Sequence, residues 1–93
     1  MPVYVDTMRA QRGRMVFCHM VAETLDELHA MADRIGVSRR WFQSGRHPHY
    51  DVCLSMRAAA VRAGAGEISQ RAAAYMSVVC GAPGAGTEKG EGR

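Results

Sequence analysis

Asparagine is absent from this 93-residue chain, lysine occurs once, at Lys89, and tryptophan once, at Trp41. Eleven of the twelve basic side chains are therefore arginine. With abundant Ala and Gly, this looks like the coding bias of a GC-rich genome, so arginine content alone is no argument for phosphate binding. The three cysteines, Cys18, Cys53 and Cys80, are odd in number, far apart and set among apolar residues. No Cys-x-x-Cys pair occurs, so neither a disulfide framework nor a zinc finger is indicated. They read as buried free thiols, since free Cys behaves as a small hydrophobe. No apolar run approaches the ~18–20 residues of a membrane span. The start lacks the charged-then-apolar layout of a signal peptide. The expectation is a cytoplasmic protein without membrane association. There is no internal repeat and no glycine-rich phosphate loop, because Gly64-Ala65-Gly66 follows a helical pattern instead of opening one.

What is present is concentrated. Arg39-Arg40-Trp41-Phe42-Gln43 and His47-Pro48-His49-Tyr50-Asp51 hold the only tryptophan and two of the four histidines, with a Gln, a Tyr and an Asp. The remainder is largely Ala, Val, Met, Leu and Gly. The length suits one domain that buries roughly 60–65% of its unfolded surface. A net charge of +3 permits an anionic partner without demanding one. Residues 81–93 hold no apolar side chain larger than Ala, which predicts a disordered tail. Residues 1–80 are expected to form a single α/β domain.

Val3-Tyr4-Val5 reads as a short strand and residues 7–14 as a basic loop. Residues 15–22 are apolar on both alternating sets except for His19, the pattern of a central strand covered by helices. Thr24-Leu25-Asp26-Glu27 is a capping box. Leu25, Leu28, Met31, Ala32 and Ile35 then share one helical face, and Gly36 suits a left-handed terminus, predicting a helix over 25–35. Residues 40–44 read as a strand, 44–48 as a loop, and Asp51 as the N-cap of a second helix over 52–63 ended by Gly64. A short strand is expected at 67–69. For 71–79 the Ala run favours helix and Val78-Val79 favours strand. Strands alternating with helices predict a mostly parallel sheet of three or four strands. Two βαβ crossovers would then build a small two- or three-layer α/β domain. A ligand is expected beyond the carboxyl ends of those strands.

His19 interrupts a hydrophobic strand. It reads either as a core histidine bonded to a carbonyl or as a site residue on the sheet floor. His29 borders the apolar stripe of the first helix. His47, His49 and Asp51 offer nitrogen and oxygen donors of the kind zinc or iron sites use, provided a third convergent ligand exists. His19 or Asp6 could supply it. The plainer alternative is a capping Asp51 with solvated histidines, and a third is acid–base use without metal. Arg40, Trp41 and Gln43 could contact a phosphorylated or nucleotide ligand, Arg pairing the anion and Trp stacking. Arg57, among apolar neighbours on the second helix, calls for a carboxylate from Asp6, Glu23 or Asp51.

Val3-Tyr4-Val5-Asp6, Arg12-Gly13-Arg14, Cys18-His19-Met20, Glu27-Leu28-His29, Arg40-Trp41-Phe42-Gln43, His49-Tyr50-Asp51 and Gly64-Ala65, taken in order, resemble domain of unknown function 4031. The resemblance covers about residues 2–70. It implies a bacterial, especially actinobacterial, or phage setting (host cytoplasm if phage-encoded) and implies no activity. Its pattern singles out Asp6, His19, His29, Trp41, Gln43, His49, Tyr50, Asp51 and Arg57, and favours His49 over His47.

The functional expectation is a pocket in which Asp6, His19, His49 and Asp51 do the chemistry, with or without a divalent metal such as zinc, for which His19, His49 and Asp51 would be the donors. Arg40, Trp41, Gln43, Tyr50, Arg57 and His29 would contact or orient a small anionic ligand, bound or hydrolysed. Two rivals stand beside it. One is a non-catalytic protein that binds and modulates a host protein, suggested by seven adaptable methionines. The other is nucleic-acid binding through the 9–14 loop, Arg39, Arg40 and Arg46, with affinity falling steeply in salt.

Overall fold

A computed structural model describes residues 3–81 of the chain. Its longest strand, β3 (Met15–Ala22), lies at the centre. On one side β3 pairs with β5 (His49–Cys53). On the other it pairs with β1 (Val3–Val5) and β2 (Ala10–Arg12). The edges are β4 (Phe42–Gln43) and β6 (Gly66–Glu67), giving the order β4-β5-β3-β1-β6 with β2 beside β3. Three helices complete the fold: α1 (Leu25–Ile35), α2 (Leu54–Arg62) and α3 (Gln70–Gly81).

Alternation along β3 sorts its side chains between two layers. Cys18, Met20 and Ala22 join Val3, Val5, Tyr50 and Val52 under Leu28, Met31 and Ala32 of α1 and Ala60 of α2. This is the main core. Each large side chain buried there contributes roughly 1.5–3 kcal/mol. Val21 points to the opposite layer, where α3 covers it and both Val21 and Ala73 are buried. The helices thus form layers on both faces, with the second face covered by one helix only.

The α/β class and the central β3 agree with the sequence pattern, but the mostly parallel sheet does not. Four of the five pairings described are antiparallel, and only β1 with β6 is parallel. The sheet has six strands and the described chain three helices, not three or four strands with two helices. The reason is β5. His49–Cys53 reads as a loop running into a helix, yet it returns as a strand antiparallel to β4 and inserts between β4 and β3. Two successive antiparallel pairings leave β4 parallel to β3. By the same counting, β6 is parallel to β5. Both α1 and α2 therefore do connect parallel strands, but with other strands between them, in the manner of a split βαβ unit.

Local boundaries moved accordingly. Helix α2 begins at Leu54 with Cys53, not Asp51, at its N-cap. The expected strand over 40–44 is shortened because Arg39–Trp41 make a turn of 3-10 helix, capped by Ser38 Oγ accepting from Arg40 N at 3.3 Å. The ambiguous stretch 71–79 lies within α3, so the Ala run decides it. The predicted tail beyond residue 81 lies outside the described residues. Among the described residues no helix is long and apolar enough to cross a membrane.

Helix α1 follows its sequence signals closely. Thr24 Oγ1 accepts from Glu27 N at 3.2 Å and donates to Glu27 Oε1 at 2.8 Å. Gly36, at φ 84°, closes the helix, with Val37 N donating to Ala32 O at 2.8 Å. That left-handed conformation disfavours any side chain bearing a Cβ. Removing the cap by Thr24→Ala should cost about 1 kcal/mol in urea unfolding, whereas Thr24→Ser should be nearly neutral. Equal stability of both variants would show that packing alone holds the helix start.

Candidate metal centre

The site begins with a break in the sheet. β1 pairs with residues 20–22 of β3 and β2 with residues 15–17, so the chain between them, residues 6–9, leaves the ladder opposite Cys18 and His19. Asp6 fills the break. Its backbone N–H donates to His19 O at 3.1 Å. Its carboxylate is fully buried and accepts from His19 N at 2.9 Å and Met8 N at 3.1 Å. The second oxygen accepts from His19 Nδ1 at 2.8 Å. A buried carboxylate is tolerable only with such donors.

This bond sets the His19 tautomer: with Nδ1–H held by Asp6, Nε2 carries the free lone pair. Register then places the partners. His19 is opposite Asp51 across β3 and β5, so both side chains share a face, and His49 lies two residues back on that face. The His19 and His49 rings meet edge to face with centroids 4.8 Å apart. His49 Nδ1 donates to His47 O at 2.6 Å, which turns its Nε2 toward Asp51, 3.4 Å from Oδ1. His19, His49 and Asp51 each offer one donor atom, all within 4.8 Å of one another. A closure of about an ångström would bring them to the ~2.0–2.2 Å bonds of zinc.

The two rings open into a cleft of about 250 Å³ walled by Val21, His47 and, from α3, Gln70, Ala73 and Ala74. On the other side of Asp51 lies a more apolar groove of about 270 Å³, lined by Met15, Phe17, Val37, Trp41, Cys53 and Met56 among others. The site is therefore on a sheet face, beneath a partial helical cover, instead of beyond the strand ends.

The other candidates are distributed around this centre. Gln43 pairs with His49 in register and shares its face at the sheet edge. Trp41 is nearly half exposed in the apolar groove, with the Arg40 guanidinium 5.7 Å from its ring. Arg39 is occupied by Asp33, at 3.2 and 2.9 Å. Tyr50 points the opposite way, into the core, where its hydroxyl meets His29 Nδ1 at 2.7 Å. Phe42 packs on both rings. Arg57 reaches Asp6, but at the backbone: Nε donates to Asp6 O at 3.0 Å and NH1 to Glu67 Oε1 at 3.1 Å. The carboxylate expected for it is thus Glu67, whose place in space no spacing revealed. His47 contributes its carbonyl to His49 as well as a side chain to the cleft.

Reading from sequence counted Arg12 only among the arginines of the 7–14 loop and did not pair it with Asp51; its NH2 lies 3.4 Å from Asp51 Oδ2 and its guanidinium 5.5 Å from the Phe17 ring. It also missed the α3 wall. Neither carries a local signal, since both depend on the register of β2 and the docking of α3. Of the thiols expected to be buried, Cys18 is, and burial with the nearby Asp6 charge pushes it up to about 11. Cys53 is only half-buried, and its bond with Ser55 holds it below the usual thiol value.

His29 is held below its ordinary value of 6.5, by burial first and then by the Arg39 charge. Burial keeps the Tyr50 hydroxyl protonated, pushing it up to about 12, so the hydroxyl donates to a neutral His29. The unfolded chain therefore takes up this proton more readily than the folded one. The contribution is complete above the ordinary value and is lost as pH falls below it. In urea unfolding, the stability difference between the wild type and His29→Gln should shrink between about pH 7.5 and about pH 5.5. A difference independent of pH would show that His29 does not titrate in this way.

Comparison with known proteins gives one match. The family described as "Protein of unknown function (DUF4031)" matches residues 3–79, which include every donor of the centre. No curated protein and no solved structure matches the chain.

Proposed function

The chain belongs to the DUF4031 family, and we propose that in it His19, His49 and Asp51 hold a divalent metal ion that activates water against a small anionic ligand. The observation that carries this reading is the state of the two imidazoles. Each ring has its Nδ1 tied down, His19 to the Asp6 carboxylate and His49 to the His47 carbonyl; His49 Nε2 lies 3.4 Å from Asp51 Oδ1, and one donor atom from each of His19, His49 and Asp51 falls within 4.8 Å of the others. Metal-binding histidines are typically fixed by such partners, which set the tautomer and raise ligand basicity. A core histidine bonded only for structural reasons needs no second histidine and carboxylate gathered beside it.

Two imidazoles and one carboxylate suit zinc, and also iron(II) or manganese. Three protein donors would leave room for water and substrate at a bound ion, and His19 and His49 line the cleft beneath α3. A bound divalent ion lowers the pKa of its water toward 7 and makes hydroxide available at neutral pH. The reaction class this supports is hydrolysis, in which an ion held by His19, His49 and Asp51 would supply an activated water and the bond to the leaving group would break with its electron pair, the leaving group taking up a proton. Asp6 acts here through His19, as a positioning residue.

Metal analysis of the purified chain after loading with zinc should find about one ion per chain. His19→Ala and His49→Ala should abolish uptake. Asp6→Asn keeps all three donors and should weaken metal affinity by about 10–100-fold. A wild-type protein that takes up neither zinc, manganese nor iron(II), or a His49→Ala variant that binds as the wild type does, would sink the proposal.

A further inference from the structure

Among the described residues, Arg12 is the guanidinium paired with the donor set. Because Arg12 pairs with Met15 across β2 and β3, it lies on the same sheet face as Phe17 and His19. Its guanidinium carbon lies 5.5 Å from the Phe17 ring centre, and its NH2 ends 3.4 Å from Asp51 Oδ2. The two oxygens of Asp51 are thus divided, Oδ1 toward His49 and Oδ2 toward Arg12. Arg12 is 58% exposed in its side chain while Asp51 is 8% exposed. An exposed ion pair of this length contributes little to stability. Its position is more informative than its strength, since it places a cation at the rim of the proposed centre.

Charge balance gives that cation a role. Without a metal, the carboxylates of Asp6 and Asp51 outnumber the nearby guanidinium of Arg12. Arg57, behind the sheet, is taken up by Glu67 and the Asp6 carbonyl. Histidines bind metals in their neutral form, so His19 and His49 would add no charge. A divalent ion would therefore change the local surplus from negative to positive. It would also share the Asp51 carboxylate through Oδ1, weakening the hold of Oδ2 on Arg12 and leaving that guanidinium able to meet an anion at the centre.

We infer, resting on the metal centre proposed above, that Arg12 is the anion-binding residue of that centre and that the ligand presents a phosphoryl group. A phosphoryl group offers several oxygens in a tetrahedral array, so one can meet the ion while others accept from the guanidinium. Arginine's planar fork is suited to that contact in a way lysine's point charge is not. The doubly charged form also answers the reversed local charge better than a carboxylate does.

The test uses the full chain loaded with zinc and freed of excess metal. Inorganic phosphate and, separately, acetate are titrated into the wild type, Arg12→Gln and Arg12→Lys, with metal content measured in each. All three proteins should hold the same metal. Phosphate affinity should fall about ten- to hundredfold in Arg12→Gln, the loss expected for a charged hydrogen bond, with partial recovery in Arg12→Lys. Acetate should bind more weakly than phosphate and respond little to either change. Equal phosphate affinity in the wild type and Arg12→Gln at full metal occupancy would overturn the role of Arg12 and leave the centre standing. Acetate binding as tightly as phosphate would overturn the phosphoryl assignment. A wild type without metal would overturn both readings, leaving Arg12 as the surface partner of Asp51.

Discussion

The buried carboxylate of Asp6 is the constraint on which the rest of this structure turns. A carboxylate taken out of water must recover its solvation from fixed donors. Here the donors are two backbone amides, those of Met8 and His19, and one imidazole N–H. Satisfying it interrupts the strand line between β1 and β2, since residues 6–9 leave the ladder to bring those amides round. The same residue fixes the His19 ring and, through its own carbonyl, receives Arg57 from α2. One side chain thus couples the sheet break, the docking of a helix and the orientation of the candidate ligand.

The two sheet faces divide the labour. One is closed by α1 and α2 over an apolar core that includes Tyr50 and Met20. The other is closed only in part, by α3, beside which run His19, His49, Asp51 and Arg12. β5 belongs to both faces at once. Tyr50 anchors it from behind through His29 and Phe42, while its neighbours His49 and Asp51 face the site. Pleat alternation makes this possible, because consecutive residues must point to opposite sides. The family pattern that joins His49, Tyr50 and Asp51 therefore spans two physically different roles.

Legibility from sequence varied with how local the governing interactions are. Helix α1 was readable because Thr24, Glu27, its apolar stripe and Gly36 act within a few residues of one another. The central position of β3 was readable because both of its faces are apolar. β5 was not: Asp51 before an Ala-rich stretch imitates a helix cap, and only pairing with β3 makes His49–Cys53 extended. Arg57 was rightly read as wanting a carboxylate, yet its partner, Glu67, lies on a strand whose position depends on β1.

By itself, then, the sequence determined the α/β class, the first helix, the central strand and the residue types of the candidate site, Asp6, His19, His49 and Asp51. These follow from local propensity and from which side chains carry chemistry. The tertiary structure alone decided the antiparallel order of the sheet, the face on which those side chains converge, the tautomer-setting bonds to Asp6 and His47, and the presence of Arg12 beside Asp51. Strand register decides these features. It is settled by contacts between segments distant along the chain, and a shift of a single residue would turn each of these side chains to the opposite face.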